Sequence, residues 1–86
     1  MEYLGECMMD CWRRGEAPWS SLLYTEVLDD RDALERRLGI ETGLAWGSKA
    51  DLTAVYTDLG ISPGMREGIK RAELDGRPIE YRRLGA

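Results

Sequence analysis

Cys7 and Cys11 stand four residues apart, and they are the only cysteines in a chain with no histidine. Zinc would need two further soft or imidazole donors, and the sequence offers none. A redox pair would call for C-x-x-C at a helix start, whereas C-x-x-x-C sets the two thiols one turn apart within a helix. The missing imidazole also removes the usual general base near neutral pH and the Ser-His and Cys-His nucleophile systems. Beside Met8 and Trp12, both thiols read as small buried hydrophobes. Asp29, Asp30 and Asp32 lack the glycine a calcium loop places at its sixth position. The run Gly47-Ser48-Lys49 fails the order G-x-x-x-x-G-K-[ST] that wraps a phosphate. No metal, cofactor or catalytic residue is expected.

Binding chemistry is better represented. Residues 1–60 hold twelve acids against six bases, and residues 61–86 hold four against six, which together give the net charge of −4. Arg66, Lys70, Arg71, Arg77, Arg82 and Arg83 make a basic tail suited to phosphates. Within residues 51–84, "DLGISPGMREGIK" runs like a helix-turn-helix, and "DGRPIEYRRLG" runs like a wing. Tyr56 sits where such a unit wants a small residue, and Gly64 and Gly68 weaken the second helix by about 1 kcal/mol each. DNA binding is therefore the alternative reading. The leading one is a protein partner, met by aromatic and arginine anchors: Trp19, Trp46, Arg13 and Arg14. Glu26, Asp29, Asp30 and Asp32 would face a basic surface on that partner.

These residues must be carried by a small domain. At 86 residues the chain predicts one domain, 1–86. A chain this size buries only about 60% of its unfolded surface, so a homodimer would be a natural remedy. No apolar run approaches the roughly 18 residues of a membrane span, and no signal peptide is legible, so a cytoplasmic protein with reduced thiols is expected.

Five short helices and one strand are predicted. The first covers residues 2–14, where Leu4, Cys7, Met8, Cys11 and Trp12 share a face. The second runs over 18–28, with Trp19, Leu22, Leu23 and Val27 on one side. Asp29 or Asp30 caps a third, which carries Leu34 and Leu38 and stops at Gly39. The stretch 40–47 reads as irregular. A fourth helix over 48–60 rests on the Ser48–Asp51 spacing and the stripe Leu52, Val55, Tyr56, Leu59. The fifth lies between the Ser62 cap, with Pro63 behind it, and Gly76. "RPIEYRR" alternates as a strand and is expected to pack on the domain, pair with 40–46 or pair with a second copy.

The sequence thus predicts a mainly α fold, a compact bundle of about five short helices with a short C-terminal β-strand. Its expected work is non-enzymatic: to bind a protein and regulate or inhibit it, in the manner of a small phage or mobile-element protein.

Overall fold

The structure, a computed structural model, describes residues 2–85. Helices dominate it, and the order of elements is α1 (Glu2–Arg13), a 3₁₀ helix (Ser21–Glu26), α2 (Ala33–Gly47), β1 (Thr53–Tyr56), α3 (Pro63–Asp75) and β2 (Ile79–Arg82). Among the described residues there are four helices where five are expected, and the element that changes is the predicted fourth.

Residues 53–56 form a strand. Thr53, Val55, Tyr56 and Thr57 are β-branched or aromatic, types that fit a pleated surface better than a helix. The strand is covered on both faces, so it shows no alternation, and a short apolar run can match a helical stripe by coincidence. Ser48 and Asp51 are accordingly no capping box. Ser48 ends α2, and its hydroxyl donates to the Ala45 carbonyl. The C-terminal strand is present, and its partner is β1 rather than 40–46. The two strands run parallel, with Thr53 opposite Ile79 and Tyr56 opposite Arg82.

A parallel pair needs a crossover, and α3 supplies it. The sequence marks both ends of α3. The Ser62 hydroxyl accepts from the Met65 amide, Pro63 occupies the first turn, and Gly76 closes the helix at φ +71°, a left-handed conformation that favours glycine. Residues 51–84 are therefore a β–α–β unit. The helix pair expected there, and with it the helix-turn-helix, is absent.

The second departure is α2. Gly39, expected as a stop, and Gly43 lie inside one continuous helix that runs through the stretch expected to be irregular. They form a notch facing the 3₁₀ segment. A Cβ on Gly43 would stand 2.6 Å from the Ser21 Cβ, and one on Gly39 would meet Leu28 at 3.2 Å. The cap of α2 is Asp32, whose carboxylate accepts from the Leu34 and Glu35 amides; Asp29 and Asp30 do not cap it. Leu34 and Leu38, one turn apart on α2, face solvent.

Period-two alternation sorts the strand residues into two faces. Ala54, Tyr56, Glu80 and Arg82 look towards α1. Thr53, Val55, Ile79 and Tyr81 lie on the other face, where α3 packs, with α2 against α3 and the 3₁₀ helix against α2. The core is thin: Cys7, Cys11 and Tyr56 cluster on the α1 side, while Val55 and Ala72 are buried elsewhere. Both cysteines are buried and free, as the sequence predicts.

Candidate functional site

The densest group of polar side chains fills the seam between α1 and the sheet. Arg82 ends β2, and its side chain is only 2% exposed. Its two terminal nitrogens donate to both carboxylate oxygens of Glu16, at 2.8 and 2.6 Å, and its Nε donates to Glu80 at 2.9 Å. The guanidinium also donates to the Tyr56 hydroxyl at 3.3 Å and lies 5.8 Å from that ring's centre. Tyr56 in turn donates to Asp10 at 2.6 Å, and Arg14 bridges Asp10 and Glu80. Cys11 Sγ lies 3.5 Å from the Tyr56 hydroxyl and 3.6 Å from Arg82.

A second knot lies at the carboxyl end of β1. The Asp58 carboxylate accepts from the amides of Leu84 and Gly85 and from the hydroxyl of Tyr3, at 2.8 Å for the last. It ties the start of α1 to the residues that follow β2.

The electrostatics follow from these partners. Hydrogen bonds from Tyr56 and then Arg14 hold the Asp10 carboxyl below its ordinary range. Arg82 does the same for Glu16, and the Leu84 amide followed by Tyr3 does so for Asp58. Burial, reinforced by the adjacent carboxylates, pushes the Tyr3 and Tyr56 phenols up. Burial also raises the Cys7 thiol, which makes it a poor nucleophile. Glu16 keeps the Arg82 guanidinium firmly charged.

Chemically, this is a clamp. Each carboxylate in it is occupied by charge-assisted hydrogen bonds. Among the described residues no buried polar side-chain atom lacks a partner, and no group of acids and thiols is arranged to hold a metal.

The residues singled out by sequence are scattered. Arg82 is in the clamp and turned inward, so the buried guanidinium cannot meet a phosphate. The Arg77 side chain is 8% exposed, with Nε on the Thr53 hydroxyl and a terminal nitrogen on Asp75. Arg66, Lys70, Arg71 and Arg83 are exposed, and Arg71 pairs with Asp75. The six cations expected to act together thus separate into two structural and four superficial ones. Arg14 belongs to the clamp, while Arg13 is exposed. Trp46 is exposed near the end of α2. Trp19 is half-exposed and makes an edge contact with Tyr24, with ring centres 6.2 Å apart. It opens the exposed segment that holds Leu22, Leu23, Glu26, Val27, Asp29, Asp30 and Asp32. Asp29 pairs with Arg31, which lowers its carboxyl.

Asp10, Glu16, Tyr56 and Asp58 carry the clamp and the knot, and sequence reasoning gave none of them a role there. The helical stripe Leu52, Val55, Tyr56, Leu59 conceals the register that sets Tyr56 opposite Arg82. The one available signal was the alternation in "IEYR": it sets Arg82 opposite Tyr81, so one of the two must face inward.

This chain belongs to a known family. The family is described as a domain of unknown function (DUF7768), and its profile matches residues 1–82. The match covers α1, the clamp and both strands. No curated protein and no solved structure matches the chain. Among the described residues no helix is long and apolar enough to cross a membrane.

Proposed function

We propose that this protein docks on a protein partner and acts by occupying that partner's surface, as a regulator or inhibitor and not as a catalyst. The observation that supports this reading is the amount of surface left uncovered, together with the large apolar side chains that stand in it. The accessible area is 6309 Å², against roughly 5,200 Å² for a compact folded chain of 9.8 kDa. The excess is on the order of the 800 Å² that one partner contributes to a standard protein interface. Trp19, Leu22, Leu23 and Val27, close together in sequence, contribute to it, being 45%, 52%, 44% and 81% exposed.

Acids flank that stretch. Glu26 and Asp30 are exposed and enter no ion pair among the described residues. An apolar anchor with an acidic border fits a partner whose pocket is rimmed by Arg or Lys. Free Cys7 and Cys11 agree with a reducing compartment, and we place the protein in the cytoplasm. The DNA alternative keeps exposed cations on α3, but it has lost the helix pair that would present them.

The test is a capture experiment with two baits, the wild type and a Trp19→Ala, Leu22→Asp variant. The reading expects a stoichiometric partner held by the wild type and released by the variant. If both baits retain the same proteins, this surface is not the docking site and the proposal is withdrawn.

A further inference from the structure

Both cysteines of the chain lie on α1, and they make two of the three buried side chains that cluster against the sheet, the third being Tyr56. The helix that carries them is closed by contacts of its own. Gly15 turns left-handed at φ +80°, and the Glu16 amide donates back to the Cys11 carbonyl. Glu16 is therefore fixed to the end of α1 and moves with it. Among the described residues no main-chain hydrogen bond joins residues 2–16 to the rest of the chain. Side chains tie α1 down: Tyr3 to Asp58, Asp10 to Tyr56, Arg14 to Glu80 and Glu16 to Arg82. Lifting α1 breaks these contacts and leaves every rung of the β1–β2 ladder in place.

We propose that Cys11 is a reversible thiol-modification site gated by the clamp: it reacts with a low-molecular-weight disulfide while α1 is lifted from the sheet, and the mixed disulfide keeps α1 lifted. The closed state protects the thiol. Cys11 is 8% exposed, and its Sγ lies 3.5 Å from the Tyr56 hydroxyl and 3.6 Å from an Arg82 nitrogen. A thiol so buried is inert. The clamp around it is wet on its outer side. The Arg14–Glu80 pair is exposed at both ends, the kind of ion pair that contributes little. Residues 17–20, which follow, belong to no helix or strand, so α1 can swing on them while the β–α–β unit stays paired. Elements held in this way open at a lower free energy than the whole fold.

The exchange needs only the disulfide. The Cys11 thiol gives its proton to water, and the thiolate attacks one sulfur of the reagent. The reagent's S–S bond breaks, a new one joins Cys11 to one half, and the other half leaves as a thiolate that takes up a proton. The half that stays, of glutathionyl size, has no room between the sulfur and the Arg82 and Tyr56 groups that touch it. α1 therefore remains off the sheet until a free thiol reduces the bond, a cycle that suits a compartment where thiols are kept reduced. Cys11 takes no part in the Trp19 surface, so the site stands whether or not that surface docks a partner.

The test is the rate at which the wild-type protein gains a glutathionyl group from glutathione disulfide, followed by mass, with the position read from its peptides. The rate is measured at urea concentrations below the unfolding transition. Lifting α1 exposes only part of the surface that unfolding exposes. The logarithm of the rate should therefore rise with urea at a clearly smaller slope than the unfolding equilibrium does. Glu16→Gln weakens the tether to Arg82 and should speed labelling of Cys11 by about tenfold or more. The modified protein should keep slow amide exchange in α3 and both strands and lose it in α1, and a thiol reductant should restore α1. Labelling at the full slope of global unfolding overturns the proposal, and so does labelling confined to Cys7. An unchanged rate in a folded Glu16→Gln protein, or a modified protein whose α1 amides stay protected, does the same. If Glu16→Gln fails to fold, the urea slope and the exchange pattern of the modified wild type decide.

Discussion

The two faces of the sheet are held by different physics. On the α1 face, Arg82, Glu16, Tyr56, Asp10 and Asp58 fasten a helix through charge and hydrogen bonds, around two thiols. On the α3 face, Val55 and the fully buried Ala72 mark an apolar contact, in a helix with both ends capped and both ends joined directly to strands. The contrast has a cause in connectivity. α3 is bound by the chain to β1 and β2, so close approach costs it little further entropy. α1 is separated from β1 by the whole of the 3₁₀ helix and α2, and it must be recruited by contacts. Specific, directional contacts fix its position, and they make that face sensitive to pH.

Four experiments would break or sharpen this contrast. The largest effect is expected from Arg82→Ala. It leaves Glu16 and the Tyr56 hydroxyl without their partner, and removing one member of a buried ion pair costs about 3 kcal/mol. Urea denaturation should show that loss, with protection falling first in α1. Equal loss in α1 and α3 would show that the faces are one unit.

Val55→Ala comes next. Truncating a buried aliphatic side chain on the other face should cost about 2 kcal/mol. Its distinguishing mark is that the cost stays constant from pH 7 to acid. A cost that varied with pH would tie Val55 to the clamp.

Ser62→Ala removes the first-turn acceptor of α3 and should cost about 1 kcal/mol. Thermal melts would read it, and α1 should be unaffected. A change in α1 protection would contradict the separation of the two faces.

The fourth experiment is a pH titration of local opening. Asp10, Glu16 and Asp58 titrate lower in the folded protein than in the unfolded chain. Their contribution is present above the ordinary carboxylate value and is lost as pH falls below about 4. Tyr3 and Tyr56 titrate higher when folded, so their contribution is lost as pH rises above about 10. Exchange of α1 amides should therefore rise relative to α3 at both extremes. Parallel behaviour of the two helices would refute the electrostatic account of the α1 face.

How far this was legible depends on where the information lies along the chain. α1 and α3 are readable with nearly correct ends; in α3, Ser62 and Gly76 hydrogen-bond within a few residues of themselves and Pro63 presets the backbone of the first turn. β1 was not readable as a strand. Its apolar pattern fits two periods, and only the pairing with Ile79–Arg82 selects one. Gly39 reads as a stop and 40–47 as irregular because the reason for Gly39 and Gly43, the close approach of Leu28 and Ser21, lies outside the helix. The clamp was invisible for the same reason: Glu16 and Arg82 are sixty-six residues apart.

The sequence by itself determined the local punctuation, the mainly helical character and the two buried thiols. Those follow from short-range hydrogen bonding and from composition. Tertiary structure decided that Thr53–Tyr56 is a strand, that it pairs parallel with Ile79–Arg82, and that Arg82 turns inward to Glu16 while Arg66 and Lys70 stay outside. Each of these depends on which surface a residue meets, and that is set only when distant segments pack together.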